Sequence, residues 1–145
     1  MERSMLFRYP VRIVEEDGAH EVYVRDLPEV VTGGSTPTEA LAMAEDAIEV
    51  AVAGRIEDEM DLPAPSAVQP GEVLVAVPPH MAAKAAVYAA WKRAGISKSE
   101  LARRLGRSEN EARRILKPRH ATRLDQLEEA ARVLGTQLVV GAEPV

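Results

Sequence analysis

The chain has 145 residues, 46% of them hydrophobic, with no cysteine and a formal net charge of −5. That length allows one or two small domains with a real core, and the missing cysteines exclude a disulfide framework and a thiolate metal site. No run approaches the roughly 20 apolar residues of a membrane span, and the opening MERSMLFRYP lacks a signal-peptide core, so a soluble, cytoplasmic bacterial protein without a membrane partner is expected.

Charge divides the chain. Residues 1–79 hold 5 Lys/Arg against 16 Asp/Glu, a balance of −11, whereas residues 80–145 hold 13 against 7, or +6. Such asymmetry predicts two domains with oppositely charged partners, placed here at 1–77 and 78–145 with Pro78-Pro79 as the boundary.

Phe7–Val14 (FRYPVRIV) alternates apolar residues at Phe7, Tyr9, Val11 and Ile13, which predicts a strand. Pro10 lacks a ladder donor and must face an edge or a bulge. Glu15-Glu16-Asp17-Gly18 reads as a turn and His20–Arg25 as the returning strand of a hairpin. Asp26-Leu27-Pro28 breaks it, and Val30–Thr32 is a short third strand stopped by Gly33-Gly34. Thr36, Pro37 and Glu39 open a helix as cap, first residue and capping box. Its apolar stripe runs Leu41, Ala44, Ile48, Val52, Ile56. Leu62–Pro70 is proline-rich and reads as a tether that lets the two halves act separately. Glu72–Val77 rejoins the sheet, giving β-β-β-α-β.

In the second half a helix runs from His80 or Met81 to Ala94, with Val87, Trp91 and Ala94 inward and Trp91 in the core. Ser97–Leu116 then carries two capping boxes, Ser97 with Glu100 and Ser108 with Glu111, around Gly106. Leu101, Leu105, Ala112, Ile115 and Leu116 form the shared seam. This is the helix-turn-helix layout, with Glu109–Leu116 as the helix that enters the DNA major groove. Glu109, Asn110, Arg113 and Arg114 then face outward; Asn110 suits adenine and Arg113 guanine. Arg107, Ser108, Lys117, Arg119, His120 and Arg123 flank that helix, and its cations suit phosphates, which position without reading sequence. Thr122 caps a last helix whose stripe is Leu124, Leu127, Ala131 and Leu134, and Gln137–Val140 is a short strand without a partner in its own domain. The fold class is α+β, with an all-α helix-turn-helix domain of Cro/repressor type at the C-terminus. One such helix contacts few bases, so a homodimer or a higher assembly such as a dimer of dimers is expected, with Gln137–Val140 as the contact.

Asp26-Leu27-Pro28, then Thr32-x-Gly34-x-Thr36-x-x-Glu39-Ala40, an acidic helix and a proline-rich exit resemble the HicB antitoxin family. The resemblance spans essentially the whole chain, although Val24-Arg25 replaces the usual aromatic-Pro and Glu29-Val30 the usual Gly-Cys. It implies a partial RNase H-like N-terminal domain, operator DNA as one partner, and as the other the toxin HicA, a small ribonuclease with a double-stranded-RNA-binding-like fold and a catalytic histidine. Glu15, Glu16, Asp17, Glu21, Asp26 and Glu29 would meet the basic toxin surface, with Leu27 and Val30 as apolar anchors.

RNase H-type catalysis needs carboxylates converging on two metal ions about 4 Å apart. Glu15, Glu21, Asp26, Glu45 and Asp46 fall mostly on turns or the solvent side of the helix, and His20, His80 and His120 are scattered, so neither catalysis nor a cofactor is expected. The competing reading is a solitary helix-turn-helix regulator with a ligand-sensing N-terminal domain, which needs an apolar cleft with convergent polar groups.

Overall fold

The computed structural model describes residues 4–145; the first three residues, at the head of the segment read as lacking a leader core, lie outside the described residues. The chain divides into two compact units between Ala82 and Ala83.

The N-terminal unit contains β1 (Arg8–Glu16), β2 (Ala19–Tyr23), β3 (Thr32–Gly34), α1 (Pro37–Glu57) and β4 (Glu72–Ala76), the expected β-β-β-α-β order. The strands form one antiparallel sheet in the order β3-β2-β1-β4. The hairpin turn is only two residues, because Glu16 already pairs with Ala19. Asp17 and Gly18 both take positive φ, 53° and 79°, which a turn matching the strand twist demands. Pro10 lies in a central strand yet breaks no ladder. Val77 N–H donates to Phe7 O, so odd-numbered β1 residues make the hydrogen-bonded pairs with β4 and Pro10 does not. On its other flank β2 stops at Tyr23, opposite Arg12, so Pro10 sits at a local edge.

The strand ends and the stripe of α1 differ from expectation: β1 (expected at Phe7–Val14) runs on to Glu16 and β2 (expected at His20–Arg25) stops at Tyr23. β3 runs through Gly33 and Gly34 instead of stopping at them. A Cβ on Gly33 would stand 2.7 Å from His20 O, and one on Gly34 2.7 Å from Ala40 N, so the glycines permit contact between β3, β2 and the start of α1. In α1 the inward row is Ala40, Ala44, Ile48, Val52, Ile56, and Leu41 is 37% exposed. Small Ala40 lets the first turn lie against Gly34; the larger Leu41 is rotated out.

Leu62–Pro70 is not a free tether. It belongs to the N-terminal unit and is bonded along its length. Tyr9 Oη donates to Pro63 O at 2.8 Å, Ser66 N and Oγ donate to the Asp26 carboxylate at 2.8 and 2.6 Å, and Arg25 donates to Ala67 O at 2.6 Å. Arg25 also forks onto Glu72 at 2.9 and 3.0 Å. These bonds join positions 40 or more residues apart, and turn the proline-rich segment into a strap.

The C-terminal unit is helical: α2 (Pro79–Ala94), α3 (Lys98–Leu105), α4 (Glu109–Leu116) and α5 (Leu124–Val133). The division between units lies in the first turn of α2, just past Pro78-Pro79, and Pro79 is helical, as the first turn tolerates. The cap hydroxyls of Thr36, Ser97 and Ser108 all accept from the expected N–H, that of Glu39, Glu100 and Glu111, at 3.0–3.1 Å. The glutamates do not close the boxes. The Glu39 carboxylate goes to the Ser35 hydroxyl, and those of Glu100 and Glu111 to Arg103 and Arg104 and to Arg107, charged donors that outcompete a cap N–H. Trp91 is buried, whereas Ala94 and Leu124 are exposed. Thr122 does not cap α5, whose N-cap is Arg123 with no side-chain cap bond; the Thr122 hydroxyl accepts from Lys84. Gln137–Val140 forms no strand, because nothing in its own unit offers a ladder, and Val139 and Val140 stand exposed.

Ile48 and Leu41 test the register of α1. Ile48→Ala should cost about 2–5 kcal/mol in denaturant unfolding of the N-terminal unit, and Leu41→Ala less than about 1 kcal/mol. Equal losses would show that the helix is seated on the other stripe.

Candidate functional site

In α4 the sequence folds one face inward through Ala112, Ile115 and Leu116, all buried, and leaves Glu109, Asn110, Arg113 and Arg114 exposed. The joint before it, Gly106-Arg107-Ser108, turns because Gly106 is left-handed at φ 66° and Ser108 caps α4. Asn110, Arg114 and Lys117 are exposed, and neither cation has an ion-pair partner among the described residues. Arg113 is held by Glu109 one turn earlier, and that bond, with one from Ser99, keeps the Glu109 carboxyl below the usual range. One guanidinium nitrogen of Arg113 is thus engaged, while its side chain remains about half exposed.

Arg107 is placed differently from expectation. Its guanidinium lies 3.1 Å from Glu129 and 3.4 Å from Glu111, half-buried between α4 and α5, so it ties helices together rather than facing a phosphate. Ser108 uses its hydroxyl as the cap. Arg123 pairs with Asp125 at 3.2 Å but stays largely exposed. Arg119 and His120 lie exposed in the loop after α4. His120 Nδ1 is 2.9 Å from Thr122 Oγ1, and partial desolvation together with the charges of Lys84, Arg114 and Lys117 lowers its pKa.

The residue missed by sequence reasoning is Lys84. Its side chain is 2% exposed, and burial draws its pKa down to about 8. Its ammonium donates to Arg114 O and Ile115 O, both at 3.0 Å, and to Thr122 Oγ1 at 2.6 Å. A signal existed: Lys84 stands three residues after Met81 and three and four before Val87 and Tyr88, on the buried stripe of α2.

On the N-terminal unit the six acids of the hairpin region separate into two groups. Glu15, Glu16 and Asp17 are exposed without an ion-pair partner among the described residues, and Glu21 is exposed beside the Tyr23 hydroxyl at 2.9 Å. Asp26 is occupied by Ser66, and Glu29 by Arg55 at 2.6 and 2.8 Å, a pairing that lowers the Glu29 pKa. Leu27 and Val30 are not surface anchors; they are 0% and 7% exposed and belong to the core. The exposed apolar residue of that turn is Val31, at 90%.

Among the described residues no group of three or more His, Asp or Glu side chains could hold a metal ion, and no helix is long and apolar enough to cross a membrane. A concavity of about 580 Å³ lies on the exposed side of the sheet beside Arg12, Tyr23, Arg25 and Glu72. It is wide open, and Arg25 and Glu72 satisfy each other.

Residues 8–86 match the family described as the HicB-like antitoxin of bacterial toxin–antitoxin systems. The chain belongs to that family. It is 39% identical over 138 residues to Antitoxin HicB 2 of Photorhabdus laumondii, covering 95% of this chain and 96% of the relative. It is 35% identical to Antitoxin HicB of Escherichia coli, over 90% and 96% of the two chains. With Antitoxin HicB of Pseudomonas fluorescens it shares 31%, over 99% of both. The family match contains the whole sheet, α1 and the strap; the HicB relatives extend the similarity through α3, α4 and α5.

In this HicB-family chain Glu100 supplies a pH test of α3. Side-chain bonds from Arg103 and then Arg104 lower its pKa from 4.5 to about 2. A depressed carboxyl contributes stability that is full above the unfolded value and lost as pH falls through the folded one. The C-terminal unit should therefore lose stability between about pH 4.5 and 2, and Glu100→Gln should flatten that part of the profile in acid unfolding followed by circular dichroism.

Proposed function

We propose that this protein is an antitoxin that inhibits a HicA-like toxin ribonuclease through its acidic N-terminal unit and represses its own operon by binding operator DNA through its basic C-terminal unit. The observation that carries this reading is the split of formal charge within a HicB-family chain, −11 over residues 1–79 and +6 over residues 80–145. A protein that cleaves RNA must present a basic surface to it, and the hairpin acids Glu15, Glu16, Asp17 and Glu21 suit that surface. The protein itself is non-catalytic and cytoplasmic. Its N-terminal unit is a partial RNase H-like fold, and its C-terminal unit a Cro-like helix-turn-helix whose α4 enters the major groove. It acts as a homodimer or a dimer of dimers, presenting two α4 helices to half-sites about 34–36 Å apart.

On DNA, Asn110 and Arg113 read bases, while Arg114, Lys117, Arg119, His120 and Arg123 meet phosphates. Arg107 is removed from that set because it bridges Glu111 and Glu129. The ligand-sensing alternative needs an enclosed cleft, and an open concavity in which Arg25 and Glu72 pair with each other gives it little support.

Two experiments test the two activities. With the full chain, Arg113→Ala should weaken operator binding by about 1–3 kcal/mol and relax preference at one base pair. Lys117→Ala should weaken all duplexes alike and reduce the salt slope by about one. If the wild-type chain binds no duplex even at low salt, the DNA role is wrong.

For the toxin, Glu15, Glu16, Asp17 and Glu21 changed together to Lys should cut the association rate with a HicA-like toxin by at least about tenfold, and restore growth arrest on co-expression. A folded quadruple variant that neutralises as well as wild type would exclude the hairpin as the contact.

A further inference from the structure

Four C=O groups at the end of any α-helix lack intrahelical partners. In the C-terminal unit α2, α3 and α5 each run into a glycine at positive φ: Gly95 at 65°, Gly106 at 66° and Gly135 at 79°. α4 does not. Its C-cap, Lys117, is extended at φ −80° and ψ 121°, and Pro118 beyond it has no N–H to give back. The helix that carries the outward-facing Asn110, Arg113 and Arg114 therefore lacks the local ending its neighbours have.

Lys84 supplies the ending from another helix. An ammonium has three protons, and here three acceptors receive them: Arg114 O, Ile115 O and Thr122 Oγ1. Two acceptors are terminal carbonyls of α4, where the helix dipole is negative and a cation is favoured. The third belongs to the loop after α4, and Thr122 Oγ1 also lies 3.3 Å from Arg114 O and 2.9 Å from His120 Nδ1. His120 feels the charge of Lys84 as well as those of Arg114 and Lys117, and no carboxylate is among the bonded partners of the ammonium. A buried cation without a counter-ion is costly, and an apolar side chain of similar length would fill the same space.

We propose that Lys84 is the positioning residue of the DNA-contacting surface: its buried ammonium clamps the C-terminal carbonyls of α4 to the Thr122 hydroxyl, and so fixes α4 and the loop bearing Lys117, Arg119 and His120 in one geometry. Lys84 touches no DNA. It acts through the backbone of residues that do, and the inference rests on the DNA-binding role proposed above.

The test uses the full-length protein, its operator fragment and an unrelated duplex. Lys84→Met keeps the length and removes the donors; Thr122→Val keeps the shape and removes the hydroxyl; Thr122→Ser restores it. Circular dichroism establishes the temperature range over which each variant is folded, and affinities are compared there. Lys84→Met and Thr122→Val should each lose at least about tenfold in operator affinity. Binding to the unrelated duplex should fall less than operator binding, because the cations that meet phosphates are kept and only their fixed geometry is lost. Thr122→Ser should bind as wild type does. A side chain that only stabilised the fold would lower melting without changing the ratio of operator to unrelated-duplex affinity. Folded Lys84→Met with a wild-type ratio overturns the proposal. Should Lys84→Met not fold, the Thr122 pair decides: equal ratios for Thr122→Val and wild type overturn it. Wild-type protein that binds neither duplex refutes the DNA role itself, a result distinct from either of these.

Discussion

Each α-helix leaves N–H groups at its start and C=O groups at its end without partners, and the way this chain meets that constraint sets both where its helices stop and which side chains remain for binding. Hydroxyls of Thr36, Ser97 and Ser108 take the N-terminal N–H groups of α1, α3 and α4. The glutamates beside them pair instead with Ser35 or with arginines. α3 and α4 are only eight residues each, too short to persist alone in water. They hold their length through caps, the seam of Leu101, Leu105, Ala112, Ile115 and Leu116, and the cross-helix bonds of Arg107 and Lys84.

Charge follows the same division between internal and external use. Of the acids near the hairpin, Asp26 and Glu29 hold the strap and α1 in place, while Glu15, Glu16, Asp17 and Glu21 have no comparable duty. Of the basic residues around α4, Arg107 is used between helices, Arg113 is exposed but paired with Glu109, and Arg114 and Lys117 are exposed without an ion pair among the described residues. Part of each unit's formal charge is thus used inside the fold, and a partner meets the remainder.

Local signals in the sequence read out well. α3 and α4 are legible to the residue because a serine, a glycine and an apolar period all lie within a few positions of the feature they specify. The β-β-β-α-β order follows from alternation and turn residues in the same way. What was not legible depends on partners distant in sequence. Gly33 and Gly34 read as a stop, and only the closeness of His20 O and Ala40 N shows them to be the strand. Leu27 and Val30 read as exposed in a polar turn, yet the chain folds them inward. The strap bonds of Tyr9, Arg25 and Asp26, and the three acceptors of Lys84, lie 30 to 54 residues away.

The burial of Leu27 and Val30 changes how the proposed toxin contact must obtain its lifetime. Charge complementarity raises the rate of encounter, but slow release comes from apolar surface removed from water. Exposing Leu27 or Val30 would first remove it from the core, at roughly 1.5–3 kcal/mol for a side chain of that size, and would loosen the turn that Asp26 and Glu29 anchor. A partner gains nothing from a contact that costs as much to uncover as it returns. Val31, Tyr23 and Val14 need no such rearrangement: they are 90%, 52% and 38% exposed, and Tyr23 and Val14 lie on the hairpin that carries Glu15, Glu16, Asp17 and Glu21. Tyr23 and Val14 therefore already share one face of the hairpin with Glu16 and Glu21, and the proposed toxin contact can form on that face without opening the fold.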